Sequence, residues 1–327
     1  MRLKVFLTQP VADSAMERLR AATELTLNAD PLHIATRGEL IAAARSNDVL
    51  FCLLHDCVDR EVIGANARLK AIASMTITPA DIDVAEATRR GIPVTVIPAL
   101  LLNDATADLT WALLMDVARR VAEGDRLMRS GVFPGSQSCY MVGGGVSGKA
   151  LGIVGMGGVG KSVARRAAGF DMRITYYDPN RLPAAEEQAL GLTWLTLEAL
   201  LKASDFVTIN ARLTPETRHL FGDRQFALMK PTAYLVNTAR GPIVDEAALV
   251  NALREKRIAG AGLDVYEHEP RPHPELLSMQ NVVFTPHTGS AVRELREAMA
   301  HVVVDNILAI AEGRRPPHCY NPEIYNA

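Results

Sequence analysis

Short apolar segments alternate with amphipathic segments along most of the chain, and this alternation restricts the folds available to it. Apolar runs of strand length occur in the first hundred residues at 4–8, 48–54, 69–75 and 93–97. Further along the chain they recur at 150–154, 173–177, 206–210, 233–237, 260–264 and 282–285. Apolar residues at helical spacing occupy much of the sequence between these runs. Strands that alternate with helices predict parallel sheets covered by helices on both faces, so the expected fold class is α/β with doubly wound parallel sheets.

The length and the charge balance exclude several classes of protein. At 327 residues the chain suffices for two compact domains or one large domain. Its 35 Lys and Arg residues nearly cancel its 37 Asp and Glu residues, and neither sign forms a long run. We therefore expect no nucleic acid and no membrane among its partners. The hydrophobic share of 48% is ordinary for a globular chain and argues against disorder.

The four cysteines are too few and too scattered for a disulfide framework. Cys52, Cys57, Cys139 and Cys319 form no Cys-x-x-Cys pair, and the apolar run near the N-terminus is too short for a signal peptide. The sequence therefore predicts a cytoplasmic protein without a metal site.

Two long helices are predicted outside the strand pattern. The first covers 103–129, where Ala107, Trp111 and Leu114 lie on one apolar stripe. Its length suits a connector between domains or a packing surface for a second subunit. The second helix covers 291–312 and is amphipathic.

A glycine-rich motif, GMGGVG at 155–160, lies between a predicted strand and a predicted helix. Gly155 permits a tight turn, Gly157 lets a pyrophosphate approach the backbone, and Gly160 lets the helix pack closely on the strand. The helix N-terminus adds N–H donors and the positive end of the helix dipole. Six predicted strands in this part of the chain match a dinucleotide-binding sheet. A tight turn without a ligand is the simpler alternative.

Asp178 ends the next predicted strand, 18 residues after Gly160. A carboxylate at this place accepts hydrogen bonds from the adenosine ribose and repels a 2′-phosphate, so NAD is favoured over NADP. Arg181 nearby leaves some room for a phosphate, and Asp178 is also a common turn residue. Enzymes that use S-adenosylmethionine carry similar features, so nucleotide binding alone does not define the reaction.

Three chemically active residues each follow a predicted strand of this region: Arg240, Glu269 and His287. Open parallel sheets bind their ligands at the carboxyl ends of the strands, so we expect these side chains to lie close together. An arginine binds a substrate carboxylate and polarises a carbonyl. A histidine exchanges a proton with the carbonyl oxygen, and a carboxylate orients the imidazole and favours its charged form. Taken singly, each residue has the alternative of an ordinary loop or surface position.

Three stretches carry a resemblance to a known family. They are GKALGIVGMG at 148–157, LVNTARGPIVDE at 235–246 and PHTGSA at 286–291. Together with residues 264–270 they resemble the D-isomer-specific 2-hydroxyacid dehydrogenases, whose members include glyoxylate and hydroxypyruvate reductases.

The resemblance implies roles for individual residues. Arg240, Glu269 and His287 are the implied catalytic residues, and Arg240 also binds the substrate. The implied NAD contacts are Thr106, Gly155, Gly157, Gly158, Val159, Gly160, Asp178, Thr238, Asp264 and Gly289.

The resemblance also implies a domain organisation. It predicts a flavodoxin-like catalytic domain from residues 1–102 and 292–327, and a Rossmann NAD-binding domain from residues 103–291, with the active site in the cleft between them. Family members are usually dimers paired through their cofactor domains, so a homodimer is expected.

The substrate loop departs from the family pattern. The family normally carries Gly-x-Gly-x-Asp-x-Ile-Asp there, whereas this chain has ASMTITPADID at 73–83, without a glycine. The backbone N–H groups of Thr76 and Ile77 are the predicted substrate contacts, and Pro79 has no N–H to donate. Which 2-hydroxy acid is used therefore stays open.

The favoured activity is hydride transfer between NAD and a small 2-oxo or 2-hydroxy acid, of the glyoxylate or hydroxypyruvate type. A phosphite-type dehydrogenase is one alternative. That enzyme uses a lysine in the substrate loop, whereas the matching position of this chain, near Thr76, has no lysine. Formate dehydrogenases carry Gln where this chain has Glu269. An NAD(H)-sensing binding protein that resembles the C-terminal-binding corepressors is the alternative from another functional class.

Overall fold

The computed structural model of the chain describes residues 2–79 and 81–326. The chain divides into two compact units, one formed by Met1–Leu101 with Ala291–Ala327 and the other by Leu102–Ser290. No helix in the described part of the chain is both long enough and apolar enough to cross a membrane.

Strands and helices alternate through both units. The strands are β1 (Lys4–Leu7), β2 (Glu24–Leu27), β3 (Val49–Cys52), β4 (Ala71–Ser74), β5 (Val94–Thr95), β6 (Ala150–Val154), β7 (Arg173–Tyr177), β8 (Leu192–Trp194), β9 (Phe206–Ile209), β10 (Tyr234–Asn237), β11 (Gly260–Leu263) and β12 (Val282–Phe284). The α-helices are α1 (Asp13–Ala22), α2 (Arg37–Ser46), α3 (Arg60–Gly64), α4 (Val84–Arg89), α5 (Asn103–Arg119), α6 (Val121–Arg129), α7 (Gly158–Ala167), α8 (Ala184–Leu190), α9 (Leu197–Ala203), α10 (Asp223–Leu228), α11 (Glu246–Arg254) and α12 (Arg293–Ala311).

The smaller unit contains a parallel sheet in the order β2-β1-β3-β4-β5. Every residue of β3 and β4 is buried, as expected for central parallel strands covered on both faces. Helix α12 returns from the end of the sequence and packs against α1 and β4. The buried Asn321 secures this return, because its side chain accepts from the N–H of Val94 (2.8 Å) and donates to the carbonyl of Ile92 (3.0 Å).

The larger unit contains a parallel sheet in the order β12-β11-β10-β9-β6-β7-β8. Successive residues of a strand pack into cores on opposite faces, as Phe206 and Val207 do. Strand β6 comes first in this unit and lies between β7 and β9, so strand order reverses there. Ligands of doubly wound sheets bind at such a reversal, outside the carboxyl ends of the strands. The two sheets confirm the predicted α/β doubly wound fold class.

The single helix predicted over 103–129 is wrong, because the chain breaks at Arg120. Its backbone is left-handed there, with φ 56° and ψ 40°. In a continuous helix the N–H of Ala122 would donate to the carbonyl of Ala118. Instead that N–H donates to the carboxylate of Asp116 (2.7 Å), and the carbonyl accepts from the N–H of Gly144 (2.8 Å). Both partners of one helical hydrogen bond are thus diverted, and two helices result.

The sequence pattern also missed several elements. Strands β2 and β8 lie at sheet edges and are short, with polar residues that interrupt the apolar pattern. Helix α2 was overlooked although a capping box precedes it: the side chain of Thr36 accepts from the N–H of Glu39, and Glu39 accepts from the N–H of Thr36. The larger sheet accordingly has seven strands where six were predicted.

Candidate active site

A histidine and a glutamate form a hydrogen-bonded pair at the carboxyl edge of the larger sheet. The Nδ1–H of His287 donates to Oε2 of Glu269, with 2.8 Å between the nitrogen and the oxygen. The side chains of His287 and Glu269 are 22% and 20% exposed. The other oxygen of Glu269 accepts from the backbone N–H of Tyr266 (3.2 Å). The N–H of Tyr266 therefore fixes the carboxylate, and the carboxylate in turn orients the imidazole. This is the arrangement expected of an acid–base histidine.

The backbone at His287 has the left-handed conformation, with φ 52°. A non-glycine residue keeps this conformation only where its surroundings enforce it. Asp264 does so, since its carbonyl accepts from the N–H of His287 (2.8 Å) and its carboxylate accepts from the N–H groups of Thr288 (2.7 Å) and Gly289 (2.9 Å). The hydroxyl of Thr285 donates to the same carboxylate (2.6 Å). Asp264 therefore builds the turn that presents the imidazole.

Arg240 follows β10 and is largely withdrawn from water. Burial lowers the pKa of its guanidinium, and the charge of Glu269 opposes that shift. Among the described residues, the carbonyl of Ala239 (2.7 Å) is the one hydrogen-bond acceptor of the guanidinium. A desolvated cation with unused N–H donors favours binding of a carboxylate.

A close backbone approach joins the segment of Arg240 to that of Glu269. A Cβ atom on Gly241 would lie 1.8 Å from the carbonyl oxygen of Tyr266, which only glycine avoids. The hydroxyl of Tyr266 donates to the carbonyl of Thr285 (2.7 Å). Three loops that follow β10, β11 and β12 are thereby packed together, and the structure brings the three predicted catalytic residues to one edge of the sheet.

The glycine motif forms the predicted turn between β6 and α7. Gly155 has φ 93°, and a Cβ there would lie 2.5 Å from the backbone nitrogen of Ala211. A Cβ on Gly160 would lie 2.2 Å from the carbonyl oxygen of Gly155, so helix and turn pack tightly. Gly157 is exposed, and no atom lies within 4 Å of its Cβ position. The open side of the turn is thus at Gly157, where a pyrophosphate would approach.

Two observations show that these residues fit a dinucleotide. Gly158 and Val159 begin α7, so their N–H groups have no acceptor within the helix. In the described part of the chain, the Nδ2 atom of Asn210 is buried and has no hydrogen-bond partner. Asn210 follows β9 and lies against Gly155, at the strand reversal. An unsatisfied buried amide at this edge requires a partner that the described chain does not supply.

Four of the predicted cofactor residues are near neighbours. A Cβ on Gly289 would lie 3.3 Å from Oδ2 of Asp264 and 3.5 Å from the hydroxyl of Thr106. Thr110 links Thr106 to Thr238, because its hydroxyl donates to the carbonyl of Thr106 (2.8 Å) and lies 2.7 Å from the hydroxyl of Thr238.

Asp178 is partly committed to the chain itself. One carboxylate oxygen accepts from the N–H of Met156 (2.9 Å) and the other from the N–H of Asn180 (2.9 Å). Each oxygen keeps further lone pairs for a ribose hydroxyl. Because Met156 belongs to the glycine motif, the carboxylate is fixed beside the turn.

The loop predicted to bind the substrate, in the smaller unit, presents backbone donors. The hydroxyl of Thr76 donates to the carbonyl of Thr78 (2.8 Å), which closes the turn internally. Within the described residues, the N–H groups of Thr76, Ile77 and Thr78 donate to no acceptor. Ala80 of this loop lies outside the described residues.

Sequence reasoning missed the parts played by Asn210 and Tyr266, and it assigned Asp264 only a cofactor contact. Asn210 was recognisable as a polar residue directly after an apolar strand. The loop-building role of Asp264 depends on hydrogen bonds between segments about 25 residues apart, which no local pattern reveals. No group of His, Cys, Asp or Glu side chains among the described residues is arranged to hold a metal ion.

We predict that Gly157→Ala folds normally but weakens NADH binding about tenfold or more, because the added methyl group occupies the approach of the pyrophosphate. The backbone of Gly157 (φ −74°, ψ −159°) accommodates alanine. Titration calorimetry gives the dissociation constant, and the thermal midpoint tests folding. Gly169→Ala is the matched control, since Gly169 also has an open Cβ position. Unchanged NADH binding by Gly157→Ala would show that the pyrophosphate does not bind at this turn.

Known proteins are similar to this chain over its whole length. The family description "D-isomer specific 2-hydroxyacid dehydrogenase, NAD binding domain" matches residues 111–289. The glyoxylate reductase of Thermococcus litoralis is 44% identical over 328 residues, which cover 99% of this chain and 98% of that protein.

Solved structures agree in fold. A protein from Thermus thermophilus has a TM-score of 0.89 at 40% identity, covering 97% of this chain and 100% of its own. A glyoxylate reductase from Paecilomyes thermophila has a TM-score of 0.83 at 32% identity, covering 98% of both chains. These matches confirm the resemblance that the motifs indicated. The chain belongs to the D-isomer specific 2-hydroxyacid dehydrogenase family and is an oxidoreductase that uses NAD to interconvert 2-oxo and 2-hydroxy acids.

Proposed function

We propose that this protein reduces glyoxylate, and related small 2-oxo acids such as hydroxypyruvate, with NADH. The observation that carries the proposal is the hydrogen bond between His287 and Glu269 (2.8 Å), in a unit that also holds Arg240 and the open glycine turn. Full-length relatives named glyoxylate reductase, 40–44% identical to this chain, support this substrate class.

Arg240 is proposed to bind the carboxylate of the 2-oxo acid. Its guanidinium has lost water through burial and uses one N–H group on Ala239, so the remaining donors suit a forked pair of hydrogen bonds. The positive charge also polarises the neighbouring carbonyl, which makes its carbon more electrophilic.

His287 is proposed to give a proton to the carbonyl oxygen of the substrate. Nδ1 holds the hydrogen bond to Glu269, so Nε2 is the atom that transfers the proton. Glu269 fixes the ring and stabilises the imidazolium before transfer, while bound NADH supplies the hydride. In the oxidation direction the same nitrogen accepts the proton.

The cofactor contacts are proposed to follow the glycine turn and its neighbours. The N–H groups of Gly158 and Val159 would hold the pyrophosphate, and the carboxylate of Asp178 would accept hydrogen bonds from the adenosine ribose. Thr106, Thr238, Asp264 and Gly289 are proposed for the remainder of the cofactor, and their clustering supports this assignment.

Two backbone N–H groups of the smaller unit are proposed as further substrate contacts. Thr76 and Ile77 are proposed to bind the substrate carboxylate through N–H groups that have no acceptor in the described chain.

Residues 103–291 are proposed as the cofactor domain and residues 1–102 with 292–327 as the substrate domain, which the family match at 111–289 supports. The scattered cysteines support a cytoplasmic setting.

We further propose that the protein is a homodimer. Helix α6 and the segment after it expose an apolar patch that a second copy would cover, formed by Val121, Met128, Val132, Phe133, Tyr140 and Val142. A groove of about 400 Å³ lies within this patch. Symmetric pairing of the same surface on both copies is the commonest way to bury such a patch.

We predict that His287→Ala lowers kcat for glyoxylate about 10²- to 10⁴-fold, the usual contribution of a general acid, while NADH binds almost as before. Steady-state kinetics gives kcat, and fluorescence titration gives the dissociation constant of NADH. His268→Ala is the control, because that histidine lies in the loop of Glu269 and its side chain is 78% exposed. Equal losses of kcat and NADH affinity would contradict the assigned role.

The unaltered protein is first assayed with glyoxylate, hydroxypyruvate and pyruvate. Tight NADH binding without turnover of any of them would overturn the proposed reductase and favour a nucleotide sensor.

We predict that Met128→Glu together with Phe133→Glu yields monomers, because two buried charges on each copy destabilise an apolar interface. Light scattering measures the mass, which for the unaltered protein should be twice the chain mass of 35.5 kDa. Leu277→Glu, at another exposed apolar residue of the same unit, should leave the dimer intact. An unaltered protein of single-chain mass would refute the dimer.

A further inference from the structure

The loop after Asp178 contains an arginine that the proposed reaction does not use. Arg181 lies three residues beyond the carboxylate proposed to bind the ribose, and its guanidinium pairs with Glu187 of α8. Nε donates to one oxygen of that carboxylate and a terminal nitrogen to the other, each over 2.9 Å. This two-point pairing occupies the Nε edge of the guanidinium, one of the edges with which arginine binds carboxylates and phosphates.

The surroundings of Glu187 stabilise its pairing with Arg181. Its side chain is 10% exposed, and it also accepts a hydrogen bond from the hydroxyl of Tyr176 (2.7 Å). The hydrogen bonds from Arg181 and Tyr176 lower the pKa of Glu187 to about 2, so the carboxylate is charged at all working pH values. The Tyr176 hydroxyl in turn accepts from the N–H of Leu182 (2.8 Å). A buried charged acceptor would be left poorly compensated if the arginine moved away.

One aromatic ring links Arg181 to Asp178, the residue proposed to bind the ribose. The guanidinium carbon of Arg181 lies 5.8 Å from the centroid of the Trp194 ring. The indole N–H of Trp194 donates to the carbonyl oxygen of Asp178 (3.1 Å). Arg181 and Asp178 therefore contact the same indole, which keeps the guanidinium near the residue proposed to bind the ribose.

We propose that Glu187 determines specificity for NAD over NADP by holding Arg181 away from the 2′-position of the adenosine ribose. The inference rests on the proposed role of Asp178 in ribose binding. A guanidinium beside that hydroxyl is the group that recognises a 2′-phosphate. Glu187 and the phosphate compete for Arg181, and Glu187 retains it because moving the guanidinium away would leave a buried carboxylate poorly compensated. Asp178 thus repels the phosphate, and Glu187 withholds the cation that would attract it.

A double-mutant cycle on Glu187 and Arg181 tests the proposal. Titration calorimetry measures dissociation constants for NADPH and NADH with the unaltered protein, Glu187→Gln, Arg181→Ala and the double variant. Glutamine keeps an acceptor for Tyr176 but loses the charge that holds the arginine. We expect Glu187→Gln to tighten NADPH binding relative to NADH about tenfold, the contribution of one charged hydrogen bond. Arg181→Ala alone should leave the ratio unchanged, and the double variant should lose the gain.

Three results would overturn the inference. They are no gain for NADPH in Glu187→Gln, a gain that persists in the double variant, or weaker NADPH binding in Arg181→Ala alone. Glu198→Gln controls for the loss of one negative charge, because Glu198 pairs with Arg224 on another helix. Thermal midpoints identify a variant that fails to fold, and Glu187→Asp then provides a shorter carboxylate for the same comparison. NADH-dependent glyoxylate reduction by the unaltered protein tests the proposed function separately.

Discussion

The buried carboxylate of Asp264 holds the loop of His287 in place. It is 1% exposed and receives hydrogen bonds from Thr285, Thr288 and Gly289, all in the loop after β12. Such charge-assisted hydrogen bonds, formed away from water, are strong enough to keep His287 in its left-handed conformation. The ring then meets Glu269. Without the carboxylate of Asp264 the loop after β12 would lose these three hydrogen bonds together, and the imidazole of His287 would lose its orientation.

Topology explains why chemistry collects at one edge of the larger sheet. All seven strands run parallel, so the loops after β6, β9, β10, β11 and β12 emerge on the same side. Two glycines shorten the distances between these loops: Gly155 lets the first turn meet the segment after β9, and Gly241 lets the Arg240 loop meet Tyr266. Ligands of doubly wound sheets bind where strand order reverses, which is at β6 here, and beside that point lies the Asn210 Nδ2 atom, which has no partner among the described residues.

Much of this arrangement was predictable from sequence. Apolar runs predicted most of the strands. Arg240, Glu269 and His287 were found as polar residues in the loops that follow predicted strands, because parallel strands bring their carboxyl ends together. Edge strands β2 and β8 were not predictable in this way, since short half-exposed segments lack a clear apolar pattern. The break at Arg120 was also hidden, because it depends on Asp116 and Gly144 capturing the two groups of one helical bond. The pairing of Arg181 with Glu187 follows only from the folded loop.

The most direct test of the proposed Glu269–His287 pair is the rate of glyoxylate reduction by Glu269→Gln. Glutamine keeps the size of the side chain but loses the charge that stabilises an imidazolium, so kcat should fall about 10²-fold while the dissociation constant of NADH stays almost unchanged. Glu255→Gln removes an exposed carboxylate and should leave both quantities unchanged. An unaltered kcat in Glu269→Gln would contradict the proposed role of the pair.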